Sequence, residues 1–277
     1  MDVVPRRFAD ILAIALILAA IPLAGCVRSL REPPPLLDTG AALAAHAPAE
    51  VDSLLGRAGI LYARRTLDGV HEAAEAFLAA ARADAGRVEG LVGTVRTRIW
   101  LVDHETDPDR RLQSAAAAVQ AAQWCGRAAP ADAACDYWLG AALGVQARER
   151  PSTGLDALPR IVEAFKRAAA AAPDMENAGP DRALALLYAR APGWPAGPGD
   201  VDLAIHHARL AATRSPDYPP NLLALAETLD AWGGGAASRA TYRRALSLAR
   251  GRSLAGDPDA QEWIREADEA LKRLQGE

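Results

Sequence analysis

From Ala204 to Arg250 the chain reads AIHHARLAATRSPDYPPNLLALAETLDAWGGGAASRATYRRALSLAR. Ala204, Ala208 and Ala211 are spaced by four and three, and 34 residues on Ser238, Tyr242 and Ala245 repeat that spacing. Such intervals place side chains on one helical face. Between the triplets lie a breaker, Pro216-Asp217-Tyr218-Pro219, and a second amphipathic stretch with Leu222, Leu225, Ala226 and Leu229. The interval therefore holds two helices, and neither can bury its apolar face without the other.

The triplet recurs upstream, at Ala73, Phe77 and Ala80 and at Ile161, Phe165 and Ala168, the latter followed by Pro173. The companion stretch recurs as Leu55, Gly59 and Tyr62, and as Trp138, Ala141, Ala142 and Val145. This arrangement resembles the tetratricopeptide repeat. There a small residue on the first helix lets a second helix approach, and a proline ends the unit. The reading predicts an all-α, right-handed solenoid of helical hairpins of tetratricopeptide-repeat type. Five hairpins are expected at about 52–65/68–84, 87–103/108–126, 133–148/156–173, 178–191/200–215 and 219–232/235–250. A capping helix follows at about 257–275, striped by Ile264, Ala267, Leu271 and Leu274. The second hairpin rests on helical patterning alone. Composition agrees: alanine, the best helix former, supplies 65 of 277 residues, and aromatics only 5%. The competing architecture is an irregular Ala-rich bundle.

The N-terminus reads differently. Arg6 and Arg7 precede an apolar run from Ile11 to Leu23, too short to span a bilayer. It ends in Leu23-Ala24-Gly25-Cys26, which resembles the bacterial lipobox. The resemblance implies cleavage before Cys26 and lipidation of its thiol. Residues 1–25 are then a signal peptide, 26–50 a lipidated tether containing Pro33-Pro34-Pro35, and 51–277 the repeat domain. Val27 and Arg28 follow the cysteine where an inner-membrane retention signal would have Asp. The expected location is the cell envelope, on the periplasmic face of the outer membrane.

One stretch is more specific than a generic repeat. It comprises Gly179-Pro180, Arg182-Ala183-Leu184, Ala191-Pro192-Gly193-Trp194-Pro195, Gly199-Asp200, Pro216-Asp217-Tyr218-Pro219 and Asn221, with Tyr137-Trp138-Leu139 upstream. It resembles the T-component (TatT) family of tripartite ATP-independent (TRAP) transporters, which are periplasmic helical-repeat lipoproteins. The likeness is clearest over residues 135–230 and implies a protein partner, a periplasmic solute receptor. Family members also occur as isolated repeat lipoproteins.

Candidate binding residues are Trp194, Tyr218, Glu227 and Asp230. Trp194 sits in a Pro- and Gly-rich insertion from Pro192 to Gly199. It either presents a binding surface or staples the loop to the helices. Tyr218 either lines a binding surface or packs a turn, and Trp138 falls on a core position. Leu223, Glu227 and Asp230 fall on the expected concave face. A polar concave face suits a protein segment, and an apolar one suits a small ligand handed onward. A general envelope-assembly scaffold is a further alternative, and homo-oligomerisation stays open.

Net charge is −4, and the basic residues are arginines apart from Lys166 and Lys272. They form no cluster, so a nucleic-acid partner is not expected. No nucleophile elbow, phosphate loop or zinc-protease motif occurs in the sequence, and neither an enzyme nor a cofactor is expected. The five histidines show no ligand spacing, so no metal is expected. His206 and His207 read as surface or groove polarity. Asp107/Asp109 and Asp257/Asp259 read as turns or caps. Cys125 and Cys135 should pair in an oxidising compartment; two free buried thiols are the alternative.

Overall fold

A computed structural model describes residues 28–36 and 47–274. Among these are eleven α-helices and a short 3-10 turn. They are α1 (Pro48–Ala63), α2 (Leu67–Ala83), α3 (Val88–His104), α4 (Pro108–Ala128), α5 (Ala133–Glu149), α6 (Gly154–Ala171), α7 (Met175–Arg190), α8 (Val201–Arg214), α9 (Pro219–Ala231), α10 (Gly235–Leu254) and α11 (Ala260–Arg273). The signal sequence, Cys26 and the lipobox lie outside the described residues.

Local chemistry sets several boundaries. Thr66 accepts a hydrogen bond from Gly69 N–H at the start of α2, and Asp200 accepts one from Leu203 N–H at the start of α8. Pro108 and Pro219 open α4 and α9, where a missing N–H costs no helical bond.

Each helix packs on its neighbours in sequence, giving five hairpins and a capping helix. Odd-numbered helices also touch one another: α1 with α3, α3 with α5, α5 with α7, α7 with α9, and α9 with α11. The even-numbered helices make no such lateral contacts among the described residues. Helices that touch along one side and fan apart on the other define a curved array, with the odd helices as its inner wall. The odd-to-even turns between α3 and α10 follow one edge, here called the tip edge, and the even-to-odd turns follow the other; the α1–α2 turn meets the α10–α11 turn of that other edge.

The triplets are buried as expected. Ala73, Ala80, Phe165, Ala168, Ala204, Ala208, Ala211, Ser238, Tyr242 and Ala245 are in the core, and Phe77 is half-buried. The bulky member of a triplet needs a hole in the facing helix. A Cβ on Gly93 would overlap the Phe77 ring, and one on Gly140 would stand 2.7 Å from Phe165 Cε1. The register of α1 differs from the expected one. Gly59 faces open space, while Ala58 is fully buried with Val51 and Leu61. Leu54, Ala58 and Leu61 therefore carry the helix contact. Two adjacent leucines, Leu54 and Leu55, and two small residues, Ala58 and Gly59, make both registers readable in sequence.

Residues 28–36 lie against the domain as a strap. Ser29 donates from N and from Oγ to Asp156 Oδ2, at 2.8 and 2.5 Å. Those bonds, first of all, hold the Asp156 carboxyl below the ordinary carboxylate range. Gln123 Nε2 donates to Arg31 O at 2.9 Å, and Trp124 Nε1 to Pro34 O at 2.8 Å. Leu30 and Leu36 pack against the main core.

Candidate functional site

The solenoid curls until its ends meet. Arg65, in the turn after α1, donates to both carboxylate oxygens of Asp259, before α11, at 2.8 and 3.0 Å. Arg65 has φ of 51°, and its guanidinium lies 3.9 Å from the Tyr62 ring centroid. Asp259 thus does more than the turn-forming role its sequence setting suggests.

Inside this closure, arginines stack on aromatics from helix to helix. Arg96 on α3 lies over Trp138 on α5 at 5.2 Å. Arg182 on α7 and Arg252 on α10 lie over Tyr218, at 5.2 and 5.6 Å, and Tyr218 meets Trp263 edge-on at 5.6 Å. Burial raises the Tyr62, Tyr137 and Tyr218 phenols above their ordinary range. Neighbouring guanidiniums oppose this: Arg65 and Arg96 at Tyr62, Arg182 at Tyr137 and Tyr218. Two buried donors, Arg96 Nε and Trp138 Nε1, have no acceptor among the described residues.

A left-handed kink supplies one carboxylate of this wall. Glu176, Asn177 and Ala178 have φ of 50°, 55° and 60°. Non-glycine residues in that region cost roughly 1–2 kcal/mol each. Glu176 pairs with Arg96 at 2.5 Å. Asn221, fully buried, holds the kink from the other side. Its Nδ2 donates to Asn177 O, Ala211 O and Ser215 O, at 2.9, 3.0 and 3.2 Å. Its Oδ1 accepts from Arg182 Nη1 at 2.8 Å. Gly179 completes the fit, because a Cβ there would stand 2.9 Å from Tyr137 Oη.

A second part of the inner wall is an acidic cleft of about 570 Å³ near the C-terminus. Glu227 accepts both bonds of the Arg190 fork at 2.7 and 2.6 Å, and Glu262, Glu266 and Glu269 line the cleft with Arg265 and Arg273. Burial, then Glu227 and Glu266, push the Tyr242 phenol up to about 12. Glu266 keeps an exposed edge, yet the walls crowd its carboxyl. Desolvation first, then Glu227, Glu262 and Glu269, raise it above the ordinary carboxylate range, against Arg190. A carboxyl whose folded pKa is raised binds its proton more tightly folded than unfolded. Its charged form therefore costs stability as pH rises through that window. Glu266→Gln is expected to raise the melting temperature at neutral pH. That gain should vanish below the ordinary carboxylate pKa, as read by a melting series from pH 3 to 8 on both proteins.

The structure separates the residues that sequence grouped as one binding surface. Tyr218 joins the arginine–aromatic wall, and Glu227 and the half-buried Asp230 flank the acidic cleft. Leu223, expected on the concave face, is 2% exposed and belongs to the C-terminal core. The α9 register turns it against α10 and α11 instead. Trp194 is on neither surface. It stands 89% exposed on the α7–α8 loop, so it does not staple that loop. Backbone bonds hold the loop instead, from Gly199 N–H to Pro192 O at 2.8 Å and from Asp200 N–H to Tyr188 O at 3.0 Å.

Cys125 and Cys135 are bonded to each other, with Cα atoms 5.3 Å apart. His206 is exposed, whereas His207 Nδ1 lies 2.8 Å from the buried Asp181 carboxylate. Sequence reading missed Tyr62, Arg65, Arg96, Glu176, Arg182 and Arg252 as wall residues. Tyr62 entered the reading only as a helix-contact position and Arg182 only within the T-component-like stretch; Arg65, Arg96, Glu176 and Arg252 carried no signal of their own. Among the described residues, no cluster of three metal-binding side chains occurs, and no helix is long and apolar enough to cross a membrane.

No family model and no curated protein matches the chain. Among solved structures it is similar to TTC0263, a thermophilic TPR protein of Thermus thermophilus. That match has a TM-score of 0.58 and 21% identity over 78% of this chain and 98% of that one. The MamA protein aligns at a TM-score of 0.45 and 16% identity, over 75% and 96% of the two chains. At these identities the first likeness speaks to architecture alone. The hairpin order, the inner wall of odd helices and this match together give the chain the tetratricopeptide-repeat fold.

Proposed function

We propose that this is a membrane-anchored envelope lipoprotein whose inner wall binds a segment of a partner protein. The observation that carries the reading is the chemistry of that wall. Guanidinium, phenol and indole groups alternate along it with carboxylates such as Glu176, Glu227 and Glu262. A polypeptide supplies carbonyl and side-chain acceptors to such a wall, whereas an apolar ligand leaves it unpaired. The resemblance to the T-component family names the partner class, a periplasmic solute receptor. The bridged cysteines support an oxidising compartment. The wall's chemistry and the repeat architecture support a binding role over a catalytic one.

Two measurements test the reading. Cys26→Ser should move the protein from the membrane to the soluble fraction or leave the precursor uncleaved; normal membrane retention would refute the anchor. The chain lacking residues 1–26 should bind a co-encoded solute receptor by calorimetry. Reversing Glu262 and Glu269 to Lys should weaken binding by tenfold or more with helicity unchanged. A wild-type chain that ignores every co-encoded receptor would refute the transporter role and favour a free-standing scaffold.

A further inference from the structure

The tip edge carries most of the apolar surface that the fold leaves uncovered. Leu155 begins α6, Trp194 and Leu203 flank the start of α8, and Trp232 ends α9. Leu155 is 75% and Trp232 53% exposed. Among the large apolar side chains exposed in the described residues, Leu254 lies at the opposite edge, and Ile60 and Leu67 flank the α1–α2 turn that meets that edge. A solenoid that buries its apolar stripes between helices has no folding use for such a row at its turns.

The strap connects this edge to the N-terminus. It runs from Ser29 on Asp156, in the first turn of α6, to Pro34 on Trp124, near the end of α4. Its N-terminal end is therefore at the tip edge. Cys26 precedes Arg28, the first described residue, by two positions, a reach of at most about 7 Å. Acyl chains on Cys26 would therefore start within that reach of Arg28, the end of the strap that lies at the tip edge.

We infer that the tip edge is a lipid-facing rim, seated on the bilayer that holds the acyl chains of Cys26. Trp194 and Trp232 sit at headgroup level, where amphipathic indoles partition. Asp107, Asp109, Asp200 and Asp202 lie at the same edge, all four at helix N-caps or first turns, so the contact is apolar rather than electrostatic. It supplements the lipid anchor, as a second membrane contact does for a weakly held chain. The inner wall is then presented beside the membrane with a fixed orientation. This inference rests on the lipoprotein reading above.

The test removes dependence on cellular lipidation. With Cys125 and Cys135 bridged, Cys26 is the free thiol of the mature chain. That thiol is coupled to maleimide-headgroup lipid in phosphatidylcholine vesicles containing acyl-brominated phosphatidylcholine. The expected result is loss of the emission due to Trp194 and Trp232, unchanged at high salt and absent from the Trp194→Phe/Trp232→Phe variant. No quenching, or equal quenching in that variant, would overturn the rim. So would protection of Trp194 from aqueous iodide only when a receptor protein is added, which would make the edge a protein interface. Because attachment is chemical, these failures strike the rim alone, whereas retention of Cys26→Ser on membranes strikes the anchor alone.

Discussion

Asn221→Leu is expected to lower stability by about 4 kcal/mol and the melting temperature by roughly 10 °C. Asn221 is fully buried and joins three elements through one amide. It holds the kink in the first turn of α7 through Asn177 O, the end of α8 through Ala211 O and Ser215 O, and Arg182 through Oδ1. Leucine has the same number and branching of side-chain heavy atoms but is bulkier, so polar groups left without partners dominate the cost and overpacking adds to it. Each such group costs about 1–3 kcal/mol, and some recover water by local opening. Urea titration should show a lower midpoint with a similar slope. An intact melting temperature would mean that the left-handed segment stands without its clamp. The variant should also shift inner-wall chemistry, because Glu176 reaches Arg96 only from that segment.

The second large effect concerns the bridge. Cys125→Ala/Cys135→Ala should cost about 3 kcal/mol, the loop-entropy value for a closure of this length. Thiol labelling of denatured, unreduced mature protein should leave both cysteines unmodified; full labelling of both would refute the bridge. The expected helices stop at about 126 and restart at about 133, and the structure runs α4 to Ala128 and starts α5 at Ala133, so only a short turn separates the helices. The native turn is therefore already set by the hairpin, and the bridge acts by restricting the unfolded chain. Reduction should lower the melting temperature without changing native helicity.

The fold was legible because its code is periodic. Spacings of four and three at Ala204, Ala208 and Ala211 and at Ser238, Tyr242 and Ala245 fix which face is buried, whatever the tertiary detail. Registers failed where two residues of one kind adjoin, as at Ala58 and Gly59, or where leucines fill successive positions, as at Leu222 and Leu223. The inner wall was scarcely legible. Arg65 and Asp259 are 194 positions apart, and their meeting depends on the summed curvature of every hairpin between them. The left-handed run at Glu176, Asn177 and Ala178 carries no local signal, since none of the three is glycine. Trp194 was legible as an unusual residue in an unusual loop, but its exposure depends on backbone bonds that composition does not encode.

The clasp between Arg65 and Asp259 changes how the array comes apart. An open row of repeats holds each terminal unit by one neighbour, so its ends unravel first and independently. Here the two ends hold each other. Opening at α1 removes a support of α11, and opening at α11 removes a support of α1, although no helix–helix packing lies between them. Prying the array apart at one terminus therefore loosens the other by what that one ion pair contributes, and amide exchange in the outermost units is expected to be coupled to that extent.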